Sequence, residues 1–402
     1  MGWVIWCVLL GAMAVIWASR HSAISRGKRE HIPLTSHSYS GPPADAPMVS
    51  VLIAARDEEA NIATAVETFL TQDYPNFELI VINDRSRDRT ADILEELKAR
   101  HPEKLRVVHV RELADGWFGK NNAMREGLAV ARGDWFCFSD ADCRQISERT
   151  LSMAMRRAVE GGIDFLSVLP LLETHSLWER IIQPVCGAVM VFWFHPGRVN
   201  DPKHEAAYAN GAFMLMSRRC YEALGGHAAV KAQVNEDMHL ARLAKQAGLR
   251  LVVAQGEDLY TVRMYSTLAQ IWRGWTRIFY GCFGTFRRLR ISMLMLLATN
   301  VFPYTSFVLA AVMLTGRGWA GAGLHWQAVG ATSALAIVLQ QTVIVRFYRL
   351  SHASPWLAPT FIVGACFCIG MLANAMLKLG GRTMVTWRGD TYRGETVVRQ
   401  QR

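Results

Sequence analysis

Three apolar runs, Ile291 to Leu314, Trp326 to Val345 and Trp356 to Leu379, set the tightest limit on what this chain can become. None contains Asp or Glu, basic or aromatic residues flank each, and each reaches the roughly 20 residues that cross a bilayer core. Helices of a soluble core would keep a polar face, and these three in succession leave none. A fourth run, Trp3 to Ala18, is followed by Arg20, Arg26, Lys28 and Arg29. A signal peptide carries its positive charge before the apolar region. Here the charge comes after it, so residues 1–20 read as an uncleaved anchor with its C-terminal side in the cytoplasm. Four spans put both termini on one side, yet the tail after Gly380 is basic (Arg382, Arg388, Arg393, Arg399, Arg402). Either one segment is re-entrant or interfacial, or the tail departs from the positive-inside rule. Val185 to Phe194 is open in a similar way, as an interfacial stretch or a buried core helix.

A net charge of +10 raises the question of nucleic acid. No zinc-finger spacing, basic helix or RNA-binding aromatic signature accompanies it, so nucleic acid is excluded as a partner. Basic residues crowding the edges of apolar spans fit contact with anionic lipid headgroups instead. The eight cysteines form no framework of spacings and read as small buried hydrophobes in a reducing compartment.

The soluble part lies between anchor and spans. A linker covers 21–47, its stretch from 31 onward punctuated by Pro33, Gly41, Pro42, Pro43 and Pro47. A domain over 48–264 follows, then an amphipathic segment 265–290 with an aromatic belt (Trp272, Trp275, Phe279, Tyr280, Phe283), spans within 291–380 and a basic tail 381–402. Within the domain, strands are expected at Val49–Ala54, Glu78–Asn83, Arg106–Val110 and Trp135–Ser139. Helices are expected at Ala60–Gln72, Thr90–Arg100 and Asn121–Ala131. That alternation implies an α/β fold with a doubly wound, mostly parallel sheet, whose ligands sit beyond the carboxyl ends of the strands.

Charged residues collect at those ends. The first strand runs into Arg56, Asp57, Glu58 and Glu59, and the second into Asn83, Asp84, Arg85 and Ser86. Asp88 reads best as a helix cap. Asp84 directly follows an apolar strand and belongs to no helix turn, so its carboxylate is placed to accept hydrogen bonds from a base or ribose. The fourth strand runs into Asp140, Ala141 and Asp142. Two carboxylates one residue apart at a strand end can address one hard cation, Mg²⁺ or Mn²⁺, which bridges a diphosphate. The competing reading is a polar turn capping a helix near Ser147. The small residues Asn210, Gly211 and Ala212 would let backbone approach a ligand. Glu236 and Asp237 open a helix, either to favour its positive end or because one of them is a general base. Arg273, with Gln270 and Trp275 on the amphipathic segment, is suited to pair with a diphosphate.

The run VSVLIAARDEEANI, then ELIVINDRSRDRTADI, GWFGKNNAM, FSDAD, NGAFML, NEDMHLA and QIWRGW resembles family-2 glycosyltransferases of the GT-A fold, in the family's order across most of residues 49 to 285. The anchor, late spans and WRGDTY tail are similar to the membrane branch of ceramide glucosyltransferases and hopanoid- or carotenoid-associated glycosyltransferases. The resemblance implies that Ala55, Arg56, Glu58 and Asp84 hold the nucleotide, that Lys120 lies near the donor, and that Asp140 and Asp142 take the DxD role with a metal. Asp237 would be the base, supported by Glu236. It further implies inverting transfer of one sugar from a nucleotide-sugar donor, in the family commonly a UDP-sugar, to a membrane lipid hydroxyl (hopanoid, carotenoid, sphingolipid-like or other). The expected setting is a bacterial inner membrane with the catalytic domain in the cytoplasm. Gly274 separates Arg273 from Trp275 where many relatives carry Gln-x-x-Arg-Trp, which argues against the alternative of a processive polysaccharide synthase. A non-catalytic nucleotide-sugar-binding membrane protein or a transporter is the other alternative. A transporter should place ionisable residues in its spans, and an inactive binder should have lost an acidic position.

Overall fold

A computed structural model describes residues 2–30, 33–317, 323–381, 385–387, 390–393 and 396–398. The chain divides into two compact units. An apolar unit comprises Met1–Glu30, Thr174–Met190 and Tyr265–Arg382, and a sheet unit comprises His31–Glu173, Val191–Met264 and Thr383–Arg402. Helix α1 (Gly2–Glu30) opens the chain and stays helical ten residues past the expected end of the anchor.

In the sheet unit the alternation is realised nearly as the sequence implies. The order is β1 (Val49–Ala55), α2 (Ile62–Leu70), β2 (Phe77–Asp84), α3 (Thr90–Arg100), β3 (Leu105–Val110), α4 (Gly119–Leu128) and β4 (Trp135–Asp140). Next come β5 (Cys143–Gln145), α5 (Thr150–Glu160), β6 (Phe165–Leu169) and β7 (Leu171–Leu172). Helices α6 (Leu177–Trp193) and α7 (Pro196–Asn200) precede β8 (Phe213–Ser217), α8 (Arg218–Ala223), α9 (Gly226–Ala229), α10 (Glu236–Gln246), β9 (Leu251–Gln255) and β10 (Tyr260–Val262). Seven strands form one sheet in the order β3-β2-β1-β4-β8-β6-β9. The β1–β2, β2–β3, β1–β4 and β6–β9 pairs are parallel, and β8 is antiparallel to both neighbours. The chain winds outward from β1 to β3 and then returns to β4 on the other side of β1. The switch point therefore falls between the carboxyl ends of β1 and β4.

Central strands are apolar on both faces because helices cover both. Two polar residues break this rule together, Ser50 on β1 and Glu78 directly opposite it on β2. Glu78 is buried and accepts from Ser50 Oγ at 2.8 Å and from the Arg132 backbone N–H at 2.7 Å, with Arg132 Nε at 3.1 Å. Ser50 Oγ in turn accepts from Gly133 N–H at 2.8 Å. The pair thus fastens the turn before β4 to the middle of the sheet.

The apolar unit contains α1, the first part of α6, and α11 (Leu268–Phe283), α12 (Phe286–Leu296), α13 (Phe302–Arg317), α14 (Gly323–Leu350) and α15 (Phe361–Leu379). Among the described residues five helical stretches are long and apolar enough to cross a membrane: Gly2–Gly27, Leu177–Asn200, Phe286–Gly316, Gly323–Leu350 and Pro355–Leu379. The second of these contains Val185 to Phe194 and adds a candidate to the four read from sequence. A π-helical turn, Leu297–Val301, joins α12 to α13. Pro303 has no N–H to offer the carbonyl of Thr299, and that carbonyl instead accepts from Trp17 Nε1 at 3.1 Å and Gln340 Nε2 at 3.4 Å. In α11, Gly274 meets the Tyr265 ring so closely that a Cβ would lie 2.0 Å from it. The glycine that interrupts the Arg-Trp pair is therefore demanded by local packing. Of the basic tail, Arg393 lies in the strand Asp390–Arg393, while Arg382, Arg388, Arg399 and Arg402 fall outside the described residues.

Glu78→Ala strips a buried network of its acceptor. It should destabilise the full-length protein in detergent by about 3 kcal/mol, the scale of breaking a buried charged network. Denaturant titration of tryptophan fluorescence measures this, and Glu78→Gln should cost less.

Candidate active site

The crevice at the switch point is lined by the residues that follow each strand. Register places Ala55 opposite Asn83, and Ala54 opposite Asp140, so the ends of β1, β2 and β4 lie level. The chain leaves β1 and β2 through two non-glycine residues in the left-handed region, Asp57 (φ 54°) and Arg85 (φ 57°). Such strain persists only where surrounding bonds hold it. Here the two loops clasp each other. Asp57 N–H donates to Ser86 Oγ at 3.0 Å, and Asp57 Oδ1 accepts from Arg87 N–H at 2.8 Å. Glu58 N–H donates to Thr90 Oγ1 at 2.9 Å, and Glu59 N–H donates to Asp88 Oδ2 at 3.0 Å. Asp88 lies one residue before Arg89, the N-cap of α3, so it is not the cap the sequence suggests; it accepts from the Thr90 N–H at 3.0 Å and the Thr90 hydroxyl at 2.6 Å while cross-linking the loops. Partial burial opposes ionisation of Asp88, but bonds from the Thr90 hydroxyl and from the N–H groups of Glu59 and Thr90 hold its carboxyl below the usual range.

Asp84 is buried at the end of β2 and accepts two bonds from Arg85, Nε to Oδ1 at 2.7 Å and Nη2 to Oδ2 at 3.0 Å. Gly119, at the start of α4, sits against this pair, and a Cβ there would lie 2.9 Å from Asp84 Oδ2 and 3.9 Å from Arg56 Nη1. Arg56, Asp84, Arg85 and the first turn of α4 are thereby gathered at one place. Glu58 is buried and directs Oε2 to Asn61 Nδ2 at 2.9 Å, where it helps open α2.

The second gathering point is Lys120. Its Nζ lies 2.6 Å from Asp140 Oδ1 and 2.7 Å from Glu236 Oε1. Removal from water works against the charge, but the two carboxylates outweigh it and hold the ammonium well above the usual lysine range. Gly211 packs into the same place. A Cβ on it would lie 3.0 Å from Lys120 Nζ and 3.6 Å from both Asp237 Oδ2 and Glu236 Oε1, so a side chain there would press on the lysine. Its N–H donates to Asp237 Oδ2 at 3.0 Å. Burial first, and the adjacent Glu236 carboxylate second, raise Asp237 to about 7, against the opposing pull of Lys120 and of the N–H groups of Met238 and Gly211. Glu236 engages Lys120, so its bearing on Asp237 is electrostatic.

Asp142 follows in the turn between β4 and β5 and is half-buried. Both Asp142 and Asp140 act on the neighbouring Cys143, whose thiol is pushed well up by burial first and by these two charges after it. Among the described residues no group of three or more His, Cys, Asp or Glu is arranged to enclose a metal. A pair of carboxylates remains a fitting donor set for Mg²⁺ or Mn²⁺, which take one or two protein carboxylates and complete their shell with water and phosphate oxygens. Arg273 lies on α11 in the apolar unit. Sequence reading missed Asn121 and His227. Asn121 Nδ2 donates to the carbonyls of Val230, Lys231 and Gln233 at 2.7, 3.2 and 3.0 Å and so ties that loop to α4. His227 is fully buried and bonded through Nδ1 to Tyr221 Oη at 2.9 Å. Burial, with Lys120 adding to it, lowers its pKa to about 3. The Gly225–Gly226 pair before it was the available signal.

The model of glycosyl transferase family 21 matches residues 6–397. A 4,4'-diaponeurosporenoate glycosyltransferase of Staphylococcus aureus is 27% identical over 237 residues, which cover 57% of this chain and 60% of that protein. The chain thus spans less than two thirds of that relative's length. A solved mannosyltransferase of Pyrobaculum calidifontis, in complex with GDP-mannose and Mn²⁺, superposes with a TM-score of 0.51 at 18% identity, over 92% of this chain and 98% of that one. At this identity the likeness is one of fold. Lys120→Met should leave Asp140 and Glu236 without their shared cation and destabilise the protein by about 2 kcal/mol. That is less than the roughly 3–5 kcal/mol of a fully buried pair, because water reaches the 38% exposed Asp140 side chain. Adding Glu236→Gln should recover part of the loss, read as the midpoint of thermal unfolding.

Proposed function

Because the chain belongs to glycosyl transferase family 21, we propose that it transfers a single sugar from a nucleotide-sugar donor to an oxygen of an apolar membrane acceptor, with inversion at the anomeric carbon. The observation that carries this reading is Asp237. It stands at the carboxyl ends of the sheet with a pKa raised to about 7, beside the Lys120–Asp140–Glu236 cluster. A carboxylate tuned to ambient pH is what removal of a hydroxyl proton calls for.

In this reading the donor's base and ribose lie in the crevice framed by Ala55, Arg56, Glu58 and Asp84, with Glu58 shaping the loop through Asn61. Lys120 lies at the diphosphate. Asp140 and Asp142 would hold Mg²⁺ or Mn²⁺, which when bound neutralises charge developing on the departing nucleoside diphosphate. Local charge favours that assignment. A diphosphate entering beside Asp140, Asp142 and Glu236 meets more negative than positive charge, since Lys120 is already shared by two of them. Asp237 takes the acceptor's proton on a carboxylate oxygen. The freed oxygen bonds to the anomeric carbon while the bond to the diphosphate oxygen breaks, and Gly211 N–H keeps Asp237 oriented.

The S. aureus relative's name supports a carotenoid-like acceptor, and the five candidate spans support one delivered from the bilayer. We place the enzyme in a bacterial inner membrane, with its sheet unit on the cytoplasmic side and a UDP-sugar as donor. Acceptor chemistry separates two cases. A carboxylate arrives ionised and needs no base, whereas a hydroxyl does.

Purified protein with Mg²⁺ or Mn²⁺, a nucleotide-sugar panel and host lipid extract should yield a glycolipid carrying one sugar. Chains of several sugars would instead indicate a processive synthase, and donor binding without product a binding protein. Asp142→Ala should abolish transfer. Asp237→Asn should lower kcat by about 10²–10⁴-fold with a hydroxyl acceptor and leave donor affinity within a few-fold. The base acts ionised, so the kcat/KM of the wild type should fall as pH drops through about 7. An unchanged pH profile in Asp237→Asn would remove Asp237 from this role.

A further inference from the structure

Behind the crevice runs a chain of hydrogen bonds that none of the roles above uses. His109, on the edge strand β3, has Nε2 2.9 Å from Glu95 Oε1 of α3 and Nδ1 3.1 Å from Asn83 Nδ2 of β2. Asn83 is buried, and its Oδ1 accepts from Ser86 N–H at 3.3 Å. Ser86 is the residue whose hydroxyl holds the left-handed Asp57.

Donor and acceptor rules fix the order of this chain. Asn83 Oδ1 faces an N–H, so Nδ2 is the group turned to His109 and must donate. Nδ1 then accepts and the ring proton sits on Nε2, where it donates to the Glu95 carboxylate. That bond, with Lys98 on the same helix, holds Glu95 below the usual carboxylate range. Every position along Glu95–His109–Asn83–Ser86–Asp57 has one consistent sense. Reversing the ring would set two donors against each other at Asn83 and turn the buried amide away from Ser86.

We propose that His109, oriented by Glu95, is a positioning residue for nucleotide binding: it fixes the Asn83 amide, and through Ser86 the paired left-handed turns that carry Arg56, Asp84 and Arg85. Glu95 and His109 are exposed at 48% and 40%, so the relay adds little to stability. Its effect lies in geometry, because Asn83 immediately precedes Asp84 and Arg85 in sequence. The inference rests on the reading of the crevice as the nucleotide site.

The test compares His109→Phe, which keeps a ring but offers no acceptor, with His109→Asn, whose side-chain oxygen lies where Nδ1 was. Donor KM and kcat are measured at saturating acceptor, with Kd for UDP and GDP by calorimetry and Tm alongside. His109→Phe should raise donor KM and nucleotide Kd about tenfold, the effect of one buried hydrogen bond. Its kcat should stay within about twofold, its Tm should fall only by the small amount expected of one lost hydrogen bond, and His109→Asn should restore KM and Kd. Equal KM and Kd in the wild type and His109→Phe overturns the relay while leaving the nucleotide site in place. So does a shared loss in both variants that tracks Tm. If the wild type binds neither nucleotide nor any donor, the nucleotide-site reading fails and the relay fails with it.

Discussion

The Lys120 ammonium lies between Asp140, at the end of a central strand, and Glu236, at the start of a helix far along the chain. Neither carboxylate has a second cation at comparable distance among the described contacts, so the lysine decides how β4, α4 and α10 come together at the crevice. Its own position is set by what surrounds α4. Asn121 binds three carbonyls of the loop at 230–233, and Gly211 leaves room for Nζ by lacking a side chain. A part-buried cation shared by two acids also shapes the electrostatics of its neighbours. It draws Asp237 down and pushes His227 further down, while burial and Glu236 carry Asp237 the other way. The near-neutral carboxyl is a balance between these effects, and no residue type alone produces it.

Much of the sheet unit was legible because period and punctuation agree there. The helix Thr90–Arg100 matches its expected bounds, and β1, β2, β3 and β4 differ by one or two residues at their ends. Continuous apolar strands flanked by polar turns leave few alternatives in a βαβ series. The later strands were harder. β8 enters antiparallel between β4 and β6, and its pairing depends on chain reversals that carry no local signal. Asp237 was legible only as a residue opening a helix, whereas the placement of Asp84 and Asp140 at the carboxyl ends followed from the crevice rule. The pairing of Asp84 with Arg85, the engagement of Glu236 with Lys120 and the burial of His227 did not, since each depends on what tertiary packing brings alongside.

Strain and clasp belong together in the two loops after β1 and β2. Asp57 and Arg85 occupy a backbone region that costs a non-glycine residue on the order of 1 kcal/mol or more. Glycine would relieve that strain, but it would also remove the carboxylate that receives Arg87 N–H and the guanidinium that grips Asp84. Side chains are thus retained where backbone economy argues against them. Their bonds close a loop-to-loop clasp that presents Arg56 and Asp84 on a fixed frame, which is how a site on loops gains the precision of one on strands.

The apolar unit shows the opposite use of polarity. Its described residues from Ile291 to Leu379 contain no Asp or Glu, and two of its buried amides are linked, Gln340 Nε2 to Asn300 Oδ1 at 2.6 Å, with Asn300 Nδ2 donating on to Thr299 Oγ1 at 2.9 Å. Proline at 303 frees a carbonyl that Trp17 and Gln340 then occupy, so α1, α14 and the π-helical turn are tied at one level. In a bilayer such groups must be satisfied within the protein, and here they are spent on joining helices. The one charge well inside α14 is used in the same way: Arg346 donates to the His21 carbonyl at 3.0 Å and to Ser25 Oγ at 2.7 Å, and so fastens α14 to α1.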